Sequence, residues 1–376
     1  MTPSQSFTVG MHDVIATTSA VSAIDGGSLS YRGINIDELA EHATFEEVIY
    51  LLWHSRLPTA PECAQLREQI ATSAVLPHGV LDLLRSFPRR TTPMEVLRSA
   101  VGVLGMFDAE AEDRSAAANG RKAIRLVGQI ASIVAAYDRI RNDRQPVAAR
   151  PDLSLAANFL YMQRGLMPDS LAVRALDKAY IVHADHELNA STFAARIVAG
   201  ALSDLYSCVT AAICALKGPL HGGANELVMR MLNDIGTADR VDPYIRKKLA
   251  DREKIMGFGH PIYKGGNGDP RAKHLKELSR QLGKLTNQEQ WYLMSARIEE
   301  IVAAAKHIRP NVDFYSASVF HYLNLRSDLF TPIFTISRTS GWVAHCLEQY
   351  EFNKLMRPRA EYTGLRDQHW VPMEKR

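Results

Sequence analysis

Apolar positions recur three and four residues apart through most of the chain, so the predicted elements are nearly all helices. The most regular stripe is Leu202, Leu205, Val209, Ala212, Ile213 and Leu216, on a central helix expected over 191–217. The same spacing predicts helices over 116–141, 154–165, 169–188, 224–233, 243–253, 272–282 and 288–306. Thr44-Phe45-Glu46-Glu47 reads as a capping box opening a helix through Trp53. Pro93 reads as a first-turn proline of a helix through Val101 and Leu104, and Thr339-Ser340-Gly341 as the opening of one through Tyr350. Strand signal is confined to a small hairpin, in which 21–24 and 29–31 flank Asp25-Gly26-Gly27-Ser28. Residues 142–152 read as a surface loop, and the tail from Arg357 onward as irregular. The fold class expected from this pattern is all-α.

Composition narrows the function classes. The 376 residues suit two to three domains, and 46% hydrophobic with 23% charged residues suits a large core. A net charge of +3, evenly spread, gives no footprint for nucleic acid. Cys63, Cys208, Cys214 and Cys346 show no CxxC spacing and read as reduced thiols of a cytoplasmic protein. The N-terminus has neither a basic nor an apolar signal region. The nearest approach to a membrane span, 197–216, contains Ser203, Asp204, Ser207 and Thr210, so a buried helix is expected there.

Candidate chemistry begins where the central helix stops, at Lys217-Gly218-Pro219-Leu220-His221-Gly222-Gly223. Lys217 favours a helix C-terminus, Gly218 can supply a left-handed cap, and Pro219 blocks continuation, which delivers His221 just beyond the helix end. The two glycines after it would let a ligand approach the backbone. His183-Ala184-Asp185-His186-Glu187 reads as a polar helix face, an anion-binding histidine or a metal site, although its spacing is not that of HExxH. Lys254-Ile255-Met256-Gly257-Phe258-Gly259-His260-Pro261 lacks a dinucleotide fingerprint, yet a glycine loop ending in histidine exposes backbone N–H groups and one imidazole. Arg271, in Asp269-Pro270-Arg271, offers a planar fork to a carboxylate. Asp313, after Asn311, is a helix cap or, in surroundings that raise its pKa, a general base. Arg338 and Arg357 lie at helix boundaries or turns, where arginines are ordinarily solvated.

Taken in order, HADHE, GPLHGGANE, GFGHP, DPR, NVDFYSAS, SRTSGW and MRPRAEYTG resemble the citrate synthase family over nearly the whole chain. They look most like the short bacterial citrate and 2-methylcitrate synthases. The resemblance implies a large helical domain of residues 1–221 and 322–376, a smaller helical domain of residues 222–321, and a homodimer. It implies condensation of oxaloacetate with acetyl-CoA and water to citrate and CoA, with propionyl-CoA and 2-methylcitrate as the alternative. Asp313 would then remove the thioester α-proton, His221 donate to the enolate oxygen, and His260 polarise the ketone. His186, Arg271, Arg338 and an Arg357 contributed across the dimer interface would hold oxaloacetate. Leu220, Lys254, Ile255, Met256, Gly257 and Phe258 would border CoA. The CoA thioester is a substrate, and no metal or other cofactor, nucleic acid or membrane partner is implied. Pro261, where many relatives carry arginine, and a longer run over 264–268 depart from the family pattern and bear on loop geometry and acyl selectivity. Two other classes are a metal-dependent hydrolase built on His183, His186 and Glu187, and a non-catalytic CoA-binding or helical scaffold protein.

Overall fold

Two glycines turn the chain back on itself at the start. Ser22–Asp25 (β1) pairs antiparallel with Ser28–Tyr31 (β2), and Gly26 and Gly27 between them both take positive φ, as a two-residue primed turn requires. A two-residue strand, Ile34–Asn35 (β3), extends the hairpin into a three-stranded sheet that alternation alone did not reveal. The structure is a computed structural model that describes residues 9–11, 14–260, 262–263 and 268–376. Pro261 and residues 264–267, named above as departures, lie outside the described residues.

Helices follow with local causes that can be read directly. After α1 (Ile36–His42), α2 (Phe45–His54) opens on the expected capping box: the Glu47 N–H donates to Thr44 Oγ1 at 3.4 Å, and the Thr44 N–H donates to Glu47 Oε2 at 2.7 Å. Then come α3 (Ala60–Ser73), α4 (His78–Ser86), α5 (Pro93–Leu104), α6 (Ala116–Arg141), α7 (Leu155–Arg164) and α8 (Ser170–His183). The interior stretch of α6, from Ile130 to Tyr137, is buried, and α6 packs against α3, α5, α7 and a later helix, α16 (Phe330–Glu351).

Three helix boundaries differ from the sequence reading. α8 ends at His183, not at residue 188, so Asp185 and His186 lie outside it and the two histidines do not share a helix face. The central helix is two helices, α9 (Ala190–Gly200) and α10 (Leu205–Leu216), packed on each other. Leu202 takes φ +62 between them, and Asp204 caps α10 by accepting the Ser207 N–H at 3.0 Å. The apolar stripe continues across that cap, which hid the break. Next come α11 (Ala224–Ile235), α12 (Val241–Ala250), α13 (Ala272–Leu285), α14 (Gln290–Lys306) and α15 (Val312–Tyr322). These five pack mainly on one another, with α15 also touching α8 and α11 touching α16. α16 (Phe330–Glu351) begins well before Thr339, the expected start. Thr339 and Ser340 are mid-helix and return their hydroxyls to the carbonyls of Thr335 and Ser337, both at 2.7 Å.

The segment after α16 is exposed and irregular apart from one short turn at Met373–Lys375. Among the described residues, no helix is long and apolar enough to cross a membrane.

α16 reaches the segment after α8 because residue 341 is glycine. A Cβ there would lie 2.4 Å from both the Ala184 carbonyl oxygen and Asp185 Oδ1. Neither backbone nor a buried carboxylate can withdraw cheaply, so Gly341→Ala should lower stability by about 1–3 kcal/mol, the usual cost of overpacking. The check is the denaturant midpoint, expected to fall at unchanged m-value. An unshifted midpoint would show that the contact yields.

Candidate active site

His221 is presented by a tight turn after α10. The His221 N–H donates to the Gly218 carbonyl at 2.9 Å and the Gly222 N–H to the Leu216 carbonyl at 2.9 Å. Gly218 is not the left-handed cap that the sequence suggests, because Lys217 and not a glycine caps the helix, in right-handed conformation. Gly222 is needed for packing: a Cβ would come 2.7 Å from the Leu216 side chain and backbone beneath it. The imidazole is then held by α9. The Ser191 backbone N–H donates to His221 Nε2 at 3.3 Å, and Ser191 Oγ lies 2.8 Å from the same nitrogen. Since a backbone N–H can only donate, Nε2 accepts and the ring proton is assigned to Nδ1. Trp342 on α16 donates its indole N–H to Ser191 Oγ at 3.1 Å.

His260 and Asp313 are brought together by a short antiparallel tie. Phe258 bridges Pro310, the Gly259 N–H donates to the Arg309 carbonyl at 3.0 Å, and the Asn311 N–H donates to the Gly257 carbonyl at 2.9 Å. Gly257 has φ +80, and a Cβ there would meet Phe314 and Val228 at 2.8 and 2.9 Å, so no other residue fits the crossing. Asn311, not Asp313, is the cap of α15: its Oδ1 accepts the Asp313 N–H at 3.1 Å. The Ile262 N–H donates to His260 Nδ1 at 3.2 Å, which assigns that ring's proton to Nε2. The two imidazoles therefore carry opposite tautomers, each fixed by the main chain.

His186 stands edge-on to His260, with ring centroids 4.9 Å apart, and its Nε2 is 2.9 Å from the Tyr263 hydroxyl. Arg338 is 1% exposed, lies over the Phe334 ring, and donates Nε–H to the His183 carbonyl at 2.6 Å. Among the described residues no carboxylate occupies its fork. Arg271 is different. Two of its N–H groups are engaged by Asp269, at 2.9 and 2.8 Å, and Asp269 also accepts the Val312 N–H at 3.0 Å. The sequence offered that fork to a ligand, but the structure gives two of its donors to a neighbour two residues away.

Exclusion of water sets the charges. Burial raises the Asp313 carboxyl from 3.8 to about 7, against the pull of Arg271 and Arg338. Its Oδ1 is buried without a partner among the described residues. Burial lowers His221 and His260 to about 4, with Arg338 and His260 adding to the shift at His221 and Arg271 adding to it at His260. His186 is pushed well below its ordinary range by burial, with Arg271, His260, Arg338 and His221 all acting the same way. At neutral pH the three rings are thus uncharged donors and acceptors. Asp269 stays below the usual carboxylate range because Arg271 outweighs its desolvation. Burial lowers Arg338 to about 10, a cation without a partner on its fork.

The remaining expected residues divide. Ile255, Gly257 and Phe258 are buried, Met256 is half-buried, and Lys254 and Leu220 are exposed, Leu220 at 91%. Arg357 is exposed beside a cavity of about 750 Å³ that it lines with Thr17, Phe193, Arg196 and Glu348, and this chain does not bring it to the histidine cluster. His183 is buried, tied through Nδ1 to the Ala179 carbonyl at 2.7 Å and edge-on to Phe334. Among the described residues no group of three or more His, Cys, Asp or Glu side chains is placed to hold a metal ion. Ser191, Trp342, Asp269 and Tyr263 escaped the sequence reading. Only Asp269 and Ser191 had a local signal, the first in its DPR triplet and the second two residues after a capping asparagine.

Comparison with known proteins matches residues 10–359 to the family model described as citrate synthase, C-terminal domain. The chain is 54% identical over 370 residues to citrate synthase 2 of Bacillus subtilis, covering 98% of this chain and 99% of that one. It is 38% identical over 374 residues to 2-methylcitrate synthase 2 of Corynebacterium glutamicum, covering 98% and 97%. Citrate synthase of Thermoplasma acidophilum, solved as a ternary complex with carboxymethyl coenzyme A and oxaloacetate, superposes with a TM-score of 0.92 at 30% identity, covering 99% of this chain and 100% of that one.

The Asp313 shift has a consequence for stability. A folded-state pKa of about 7 against 3.8 means that its contribution is full below about pH 4 and is lost as pH rises through about 7. Asp313→Asn removes that loss. Its urea midpoint should exceed that of the wild type at pH 8, with the gain shrinking toward pH 4. A midpoint at pH 8 equal to or below that of the wild type would contradict a carboxyl buried without compensation.

Proposed function

Because this chain belongs to the citrate synthase family, we propose that it condenses oxaloacetate with the methyl carbon of acetyl-CoA and, with water, releases citrate and CoA. The observation that carries the reading is a carboxyl held near pKa 7 and two neutral imidazoles of opposite tautomer, each under the influence of one or both of the buried cations Arg271 and Arg338. A thioester α-proton is too weakly acidic for a carboxylate in water. A base with its pKa near the working pH is better matched, provided that a donor meets the enolate oxygen as charge develops there. Asp313 takes the proton, and His221 Nδ1–H donates to the enolate oxygen, a contact of a kind worth about 3–4 kcal/mol. His260 Nε2–H donates to the ketone oxygen of oxaloacetate and protonates it as the carbon–carbon bond forms. Water then hydrolyses the thioester.

His186, Arg271 and Arg338 hold the two oxaloacetate carboxylates. Arg338 is suited to this by its open fork in a dry place, and Arg271 by the donors that Asp269 leaves over. Arg357, exposed and remote in its own chain, serves the site of a second copy. The apolar side chains of Leu355, Leu365 and Trp370, exposed on the same tail, fit a surface that such a copy covers. CoA enters as the thioester substrate along Leu220 and the segment from Lys254 to Phe258. The mutual packing of α11 to α15 supports a small domain of residues 222–321 that closes on residues 1–221 and 322–376 and expels water. The reaction belongs to the cytoplasm, as expected from the cysteine pattern.

Propionyl-CoA is the competing thioester, since relatives of both names match. One methylene is worth about 1–3 kcal/mol in such a pocket. We expect kcat/KM to favour acetyl-CoA, and a preference for propionyl-CoA would make 2-methylcitrate the product. Asp313→Asn should lower kcat by at least about a thousandfold while oxaloacetate still binds; retained turnover would remove Asp313 as the base. The wild-type rate at subsaturating thioester should rise with pH up to about 7 and then level, because the carboxylate must be ionised and both imidazoles are already neutral. A rate that falls with pH over that interval would reverse the assignment. Sedimentation should show a dimer, and a fully active monomer would exclude Arg357 acting across an interface.

A further inference from the structure

We propose that His345 is a positioning residue that sequesters the buried Asp185 carboxylate, and so keeps the fork of Arg338 open for oxaloacetate. The inference rests on the function proposed above. It begins with a stripe on α16: Arg338, Gly341, Trp342, His345, Glu348 and Gln349 recur three and four residues apart. Arg338, Gly341, Trp342 and His345 line the segment from His183 to Ser191, and Glu348 and Gln349 line α9.

Asp185 is fully buried beside a cation, yet it does not pair with that cation. Its charge is the main influence opposing the burial of Arg338. Its Oδ2 instead accepts the Ser22 hydroxyl at 2.5 Å and His345 Nε2–H at 3.2 Å, and its Oδ1 has no partner among the described residues. A buried carboxylate next to an unpaired guanidinium would ordinarily take the fork at two points. His345 restrains it. Arg196, 3% exposed, places Nη1 3.1 Å from His345 Nδ1, and a guanidinium can only donate, so Nδ1 accepts and the ring proton sits on Nε2, aimed at Asp185. Arg196 is held in turn by Glu348 at 2.5 Å and by Gln349 Oε1 at 3.2 Å. The order Glu348, Arg196, His345, Asp185 thus fixes one tautomer by a chain of forced donors.

The backbone around Asp185 is pinned from the sheet side. The Tyr31 hydroxyl donates to the Asp185 carbonyl at 3.0 Å, and the Glu187 N–H donates to Ser22 Oγ at 2.9 Å while Glu187 takes φ +50. His186 sits between these two anchors, outside any helix, so its place depends on them. Loss of the His345 N–H would free Asp185 to turn to Arg338 and compete with a substrate carboxylate for the same donors. The expected defect is therefore specific to oxaloacetate.

The test is calorimetric binding of oxaloacetate, with steady-state kinetics, on the full chain. His345→Gln keeps a neutral donor and acceptor and should bind within about threefold of the wild type. His345→Leu should weaken oxaloacetate at least tenfold, leaving the KM for acyl-CoA within about twofold. Adding Asp185→Asn to His345→Leu removes the competing anion and should restore most of the affinity, which a loss of bulk stability would not do. Binding by His345→Leu equal to that of the wild type, or a double variant as weak as the single one, overturns the proposal. Should His345→Leu fail to fold, Ser22→Ala removes the other donor to the same oxygen; a three- to fivefold loss supports the proposal and unchanged affinity overturns it. A wild-type chain that does not bind oxaloacetate would instead sink the proposed function itself.

Discussion

A guanidinium held in a dry place without a partner on its fork is the constraint around which this molecule is arranged. Transfer of such a group from water is costly, and the usual remedy is a carboxylate on the fork. Here Arg338 has a carbonyl on Nε, an aromatic face beneath it, and a carboxylate nearby whose oxygens are turned to other donors. On the proposed function the unmet demand would be met when the dianion oxaloacetate arrives. Stability given up in the empty protein would then become affinity in the occupied one. The helices that enforce this come from distant parts of the chain: α16 carries the cation, the end of α8 the carbonyl, and Gly341 lets the two approach.

The same dryness sorts the other ionisable groups without needing a separate cause for each. Burial disfavours charge, so it raises the Asp313 carboxyl and lowers the His221 and His260 imidazoles, toward a better base and toward neutral donors respectively. Carboxylates with a structural task escape. Asp269 is held ionised by Arg271, and Asp185 by His345, Arg338 and Ser22. The three buried carboxyl groups, Asp313, Asp269 and Asp185, thus have different fates because their partners differ, not because their depth does.

Much of this was legible from residue order. Capping boxes, the first-turn proline and the glycine hairpin are local signals, and they place α2, α5 and the β1–β2 hairpin correctly. His221, His260 and Asp313 were recognisable because each sits in a short motif. What could not be read were facts that depend on residues far apart. The break at Leu202 was masked by an apolar stripe that runs on across the Asp204 cap. α16 starts early because burial, not propensity, decides where Thr339 and Ser340 belong. The tautomers of His221 and His260 depend on backbone donors of Ser191 and Ile262, which no motif announces. The link between Asp185 and His345 spans 160 residues.

The antiparallel tie between Phe258 and Pro310 has a further meaning. It fastens His260 to the start of α15, so on the proposed function the group that addresses one reactant would travel with the group that addresses the other. On the proposed domain division, His221, His186 and Arg338 would belong to the opposite body of the protein. If the two bodies part, proton acceptor and ketone donor depart as one, and the oxygen that would bear the enolate charge keeps its donor but loses its base. On that reading a half-shut protein would have no fragment of the reaction left to run by accident, and idle thioester in it would be safe.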